Sequence, residues 1–143
     1  MAWSELAILS LMRSPRALVL SSVENRRIIP LVEKALAESG IETINLDEAA
    51  VPGAMWASAI SDAIHRADFV VVDLSYQNAN VMYELGIAHA LRKPTIILAS
   101  RDSGSTIPSD LAGLSYVLYD PNDPSGLARE LRGWIPSLSA RLA

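Results

Sequence analysis

The stretch ADFVVVDLSYQNANVMYELGIAHALRKPTIIL, Ala67 to Leu98, changes its hydrophobic period twice. It opens on an unbroken apolar run, FVVV (69–72), that ends on Asp73. Runs without alternation belong to strands covered on both faces. A polar loop holding Asn78 and Asn80 follows, and then Val81, Leu85, Ala88 and Leu91, with Ile87, recur at helical spacing. A second apolar run, PTIILAS (94–100), closes the unit. Strand, helix and strand in this order make a right-handed crossover between parallel neighbours.

Working outward, the same alternation fills the chain. ALVLSS (17–22), IETINL (41–46) and SYVLYD (115–120) are further candidate strands. Between them, ENRRIIPLVEKALAESG places Ile28, Val32, Ala35 and Leu36 on one helical face and stops at Gly40, with Pro30 marking its start or a bend. AMWASAISDAIHRA (54–67) repeats at Trp56, Ile60, Ala63 and Ile64, and PSGLARELRGWI (124–135) at Leu127, Leu131 and Trp134. The pattern predicts one α/β domain over residues 1–143 with its core in 17–135. It is a doubly wound, five-stranded parallel sheet in the flavodoxin-like order 2-1-3-4-5. MAWSELAILSLMR (1–13) has an early Glu5 and no basic start, so it reads as a short extra N-terminal helix rather than a leader.

Composition removes several function classes. A net charge of −4 leaves no basic footprint for nucleic acid. With no cysteine and only His65 and His89, thiolate chemistry and a histidine-rich metal site are both set aside. No apolar run reaches the length of a membrane span. The expectation is a cytoplasmic domain with no metal, no cofactor, no membrane and no nucleic-acid partner. The turn after the first strand, SSVENRR, lacks the glycines of a dinucleotide or phosphate-binding loop. A phospho-receiver reading fails because serines stand where acidic residues would be needed and Lys93 precedes the fourth strand.

In a sheet of this order ligands sit beyond the carboxyl ends of the first and third strands. That address collects Ser21 and Ser22, Asp47 in DEAAVPG (47–53), and Asp73 with the loop SYQNAN (75–80). Taking Asn80 as N-cap puts Glu84 in or just past the opening turn, where the helix dipole would keep it ionised. An ionised carboxylate on a cleft floor can attack, or electrostatically stabilise, an oxocarbenium-like sugar carbon. A second carboxyl, Asp73 or Asp47, would hold the sugar or carry a proton. The plain alternative is that Glu84 only complements the helix start.

Around these residues the chain resembles the nucleoside 2-deoxyribosyltransferase-like proteins and the related bacterial TIR-like domains. The resemblance rests on the strand ending in Asp73, the polar loop, the Glu84-x-Gly86-x-Ala88 helix start and the Lys93-Pro94 entry to the next strand. It extends over roughly residues 17–120. It implies N-glycosidic cleavage or glycosyl transfer on a nucleoside, a nucleotide or NAD, with Glu84 as nucleophile and Asp73 facing the substrate. It also implies a homo-oligomer. The chain departs from the transferases at Asn78, where they carry an aspartate, and in a first loop without their glycine and proline. The alternative it leaves open is a non-catalytic nucleotide-sensing or protein-interaction domain. Tyr76 and Tyr83 are candidates to stack on a base, Trp56 to close the base pocket, and Asn78 and Asn80 to bind ribose or phosphate. Core packing, capping or turn duties compete for each of them.

Overall fold

The computed structural model describes residues 13–46, 56–76, 78–102 and 116–142. Five parallel strands form one sheet in the order β2-β1-β3-β4-β5, as the sequence predicts. They are β1 (Arg16–Leu20), β2 (Glu42–Thr43), β3 (Phe69–Asp73), β4 (Thr95–Ser100) and β5 (Tyr116–Tyr119). The helices are α1 (Ile28–Glu38), α2 (Trp56–Arg66), α3 (Ala79–Ala90) and α4 (Pro124–Leu142). Strand side chains alternate between two apolar layers. Ala17, Val19, Phe69 and Val71 meet α1 and α4 on one face. Leu18, Leu20, Val70 and Val72 meet α2 and α3 on the other. All five residues of β3 are buried, which is why its sequence carries no polar alternation.

Two expected boundaries move. The run at 41–46 pairs only through Glu42 and Thr43, a short strand at the sheet edge. Helix α4 continues to Leu142 through Pro136 instead of ending at 135. Leu138 is buried with Leu127 and Leu131, and Trp134 and Ile135 pack against the same cluster. That burial carries the helix past the backbone donor that Pro136 lacks. The expected N-terminal helix lies outside the described residues. No helix among the described residues is long and apolar enough to cross a membrane.

Helix ends explain two signals of the sequence. After α1, Gly40 takes a left-handed φ of 76°, the Gly40 N–H donates to Ala37 O, and the Ile41 N–H donates to Leu36 O. After α3 the same paired closure runs from Arg92 to His89 and from Lys93 to Ala88, but the left-handed residue is Arg92 at φ 55°. Lys93 then donates from Nζ to His65 O and Ala67 O, capping the carbonyls at the end of α2. Lys93 is thus a brace between α2 and the start of β4. A side chain at a left-handed position costs roughly 1 kcal/mol, partly offset by glycine's freer unfolded chain. Arg92→Gly is therefore expected to stabilise the protein by a few tenths to about 1 kcal/mol in urea unfolding.

Candidate active site

The end of β3 delivers Asp73 into the interior, where it is 1% exposed. Its Oδ2 accepts from Asn25 Nδ2 at 2.6 Å and from Ser21 Oγ at 3.2 Å. Its Oδ1 accepts from the Ser75 hydroxyl, from the Ser75 N–H at 3.3 Å and from the Tyr119 hydroxyl at 3.2 Å. Tyr119 Oη accepts from Asn25 Nδ2 at 2.9 Å, and Ser75 Oγ accepts from the Ser100 N–H at 2.8 Å. Burial raises the pKa of the Tyr119 hydroxyl, so it stays protonated and able to donate. This cluster joins the loop after β1 to the ends of β3, β4 and β5. Asp73 was expected to face the substrate, but it does not line the adjoining cavity.

That cavity, of about 520 Å³, opens beyond the carboxyl end of β1. Its floor is the strand end with Ser21 and Ser22. One wall is the start of α3, with Asn78, Asn80, Val81 and Glu84. The opposite wall is the start of α1, with Arg26, Ile29, Pro30 and Glu33, and the rim is Ile44 to Leu46 after β2. The size suits a small-molecule ligand. Ser22 is 3% exposed, and its hydroxyl has no partner among the described residues. A buried hydroxyl left unpaired beside a cavity is a ready contact for a polar ligand.

Helix α3 begins two residues earlier than the sequence suggests. Asn78, with extended backbone, is the N-cap: its Oδ1 accepts from the N–H groups of Asn80 at 2.9 Å and Val81 at 3.3 Å. Glu84 therefore sits in the second turn, away from the helix start, and no acidic residue occupies the first turn. It is 9% exposed and meets no hydrogen-bond or ion-pair partner among the described residues. Burial pushes its pKa up to about 7, so the expectation of a carboxylate fully ionised by the helix dipole is corrected. Desolvation outweighs the dipole once the carboxyl leaves the first turn.

The structure thus brings Glu84, Asn78, Asn80, Ser21 and Ser22 to one cavity. Tyr76 and Tyr83 stand outside it, 41% and 61% exposed. Asp47 lies outside the described residues, and of Trp56 only the backbone position at the head of α2 is described. Arg26 and Glu33 were not singled out by the sequence. The signal that finds them is positional, because the helix after the first strand of such a sheet starts at the ligand address.

The family model for the TIR domain matches residues 19–131. The chain belongs to the TIR domain family. Among solved structures, the TIR domain of the Toll-related receptor TRR-2 from Hydra magnipapillata is 20% identical, with a TM-score of 0.67 over 86% of this chain and 97% of that one. The CMP N-glycosidase BcmB of Clostridium botulinum is also 20% identical, with a TM-score of 0.59 over 80% of this chain and 98% of that one. A 2-deoxyribosyltransferase of Bacillus psychrosaccharolyticus is 17% identical, with a TM-score of 0.55 over 78% and 90%. No curated protein sequence matches the chain. At these identities the shared property is the fold. It joins TIR domains to enzymes of N-glycosidic chemistry, as the resemblance in the sequence implies.

Two measurements test this description. Tyr119→Phe removes a hydroxyl from the buried cluster and should cost about 1–3 kcal/mol in urea unfolding. Glu84→Gln should act in the opposite direction. A carboxyl whose folded pKa is raised from 4.5 to about 7 holds its proton in the native state while the unfolded chain releases it. Native stability therefore falls as pH rises across that window. The variant lacks this penalty, so its unfolding midpoint should match wild type near pH 4.5 and exceed it at pH 8.

Proposed function

We propose that this TIR-family domain breaks the N-glycosidic bond of a nucleoside, a nucleotide or NAD, with Glu84 as the nucleophile at the sugar's anomeric carbon. The carrying observation is a buried glutamate, with no hydrogen-bond or ion-pair partner among the described residues, on the wall of a cavity at the switch point of the sheet. A group with a strongly perturbed pKa in such a place is a candidate for chemistry. In its ionised form the carboxylate attacks C1′, or stabilises the positive charge that builds there, as the bond to the base stretches. The hydroxyls of Ser21 and Ser22 and the amides of Asn78 and Asn80 line the same cavity, and on this reading they hold sugar hydroxyls. Asp73 acts behind them, holding Ser21 and Asn25 in position.

A second reading has its own support. The receptor TIR domain overlays this chain with a higher TM-score than either enzyme. On that reading the cavity binds a nucleotide without turnover, and the domain assembles with copies of itself or with a partner.

The two readings separate on release of free base, followed by chromatography, from NAD and from a panel of ribo- and deoxyribonucleosides and their monophosphates. The N-glycosidic reading expects release by wild type and a loss of about 10³-fold or more in Glu84→Gln. The rate should rise with pH through about 7, because the attacking carboxylate is the deprotonated form of a group with that pKa. Binding that raises the melting temperature, with no base released from any substrate, would instead establish the binding domain.

A further inference from the structure

With Asp73 buried in the interior, the cavity draws its second carboxyl, among the described residues, from a different element. Glu33, half-buried in the second turn of α1, lines it. Arg26, Ile29, Pro30 and Glu33 follow helical i, i+3, i+4, i+7 spacing, turned away from the core stripe of Ile28, Val32, Ala35 and Leu36. Pro30, the third residue of α1, falls where its missing N–H breaks no intrahelical bond, so the wall is a rigid first turn. Helix α1 packs on one face of the sheet and α3 on the other, so Glu33 and Glu84 reach the cavity from opposite sides. Arg26 is the one other charged side chain that lines it among the described residues. Glu33 makes no hydrogen bond or ion pair among those residues, and burial raises its pKa above the ordinary glutamate value.

Attack by a carboxylate from one face of the sugar expels the base from the other, and the acceptor enters by the face the base has vacated. A base catalyst for that acceptor must stand opposite the nucleophile. We propose that Glu33 is the general base that makes water the acceptor, so that the site is a hydrolase rather than a transferase. This inference rests on the N-glycosidic reading of Glu84. In the first step a Glu84 oxygen bonds to C1′, and the C1′–N bond breaks with its electron pair passing to the base, which takes a proton from solvent or, where it was a pyridinium as in NAD, departs neutral without one. In the second, the oxygen of water bonds to C1′ and the bond from C1′ to Glu84 breaks, returning its electron pair to the carboxylate. The proton lost by the water passes to the Glu33 carboxylate, which is exposed enough to release it to solvent.

The test uses Glu33→Ala and Glu33→Gln in the full chain, with the nucleoside or nucleotide that wild type cleaves fastest. The expected result is a fall of about 10²-fold or more in steady-state turnover. A burst of one base per site should remain, with a glycosyl adduct on the peptide that carries Glu84 in mass spectrometry. Azide, a nucleophile with no proton to lose, should restore turnover in Glu33→Ala as glycosyl azide and leave wild type unchanged. Turnover within threefold of wild type in both variants would overturn the assignment. So would a fall with neither burst nor azide rescue. Wild type that passes the sugar to an added free base in preference to water would overturn it too, leaving the N-glycosidic reading in place. Wild type that releases no base from any substrate overturns that reading and the role of Glu33 together.

Discussion

Burying the Asp73 carboxyl at the end of β3 creates a demand for hydrogen-bond donors that only the neighbouring strand ends and loops can meet. A carboxyl taken from water without compensation costs several kcal/mol. Asn25, Ser21, Ser75 and Tyr119 converge on it from the loops after β1 and β3 and from β5. The consequence reaches beyond the cluster. Asn25 closes the single 3-10 turn, Val23–Asn25, that leads from β1 into α1. Fixing Asn25 therefore fixes where α1 begins and which of its side chains face the cavity. Ser21, held by the same carboxyl, sets the cavity floor beside Ser22.

Three carboxyl groups near one switch point have been given three environments. Asp73 is surrounded by donors and closed to ligand. Glu84 is buried with no partner among the described residues, and burial pushes its pKa up to about 7. Glu33 stands half in solvent on the far wall. Carboxyls in surroundings as different as these are suited to different work. The likeness to both receptor domains and N-glycosidic enzymes is a likeness of scaffold, and the scaffold leaves function to what lines the cavity.

The sheet was readable because burial on both faces forces unbroken apolar runs. FVVV and TIIL could be little else once helical patterns separated them, and strand order followed from the crossovers. What escaped depended on geometry that one-dimensional spacing does not carry. Sequence spacing takes Asn80 as the N-cap, whereas the structure gives that place to Asn78. The choice fell to whichever backbone was extended, and it moved Glu84 by two positions out of the first turn. Asp73 had the address of a substrate ligand, but its fate was set by Asn25 and Tyr119, far away in sequence. Glu33 looked like any glutamate on the polar side of an amphipathic helix. Only the start point of α1, set by the buried cluster, turns that side toward a cavity.

The energetics of Glu84 bear on which function the fold serves here. A carboxyl whose pKa burial raises to about 7 lowers native stability at neutral pH, where the unfolded chain would ionise it at no cost. Gln at the same position would fill the same space without that penalty, and a domain that only binds a nucleotide by its shape and hydroxyls gains nothing from the acid. A nucleophile gains a great deal. It must be desolvated to attack, must lack competing partners, and must ionise near working pH. Local destabilisation of this kind is tolerated where chemistry requires it. On this account the two carboxyls are complementary: the hydrogen bonds to Asp73 fix the loop after β1 and the strand ends beside the cavity, and Glu84 stands on the cavity wall with no competing partner among the described residues.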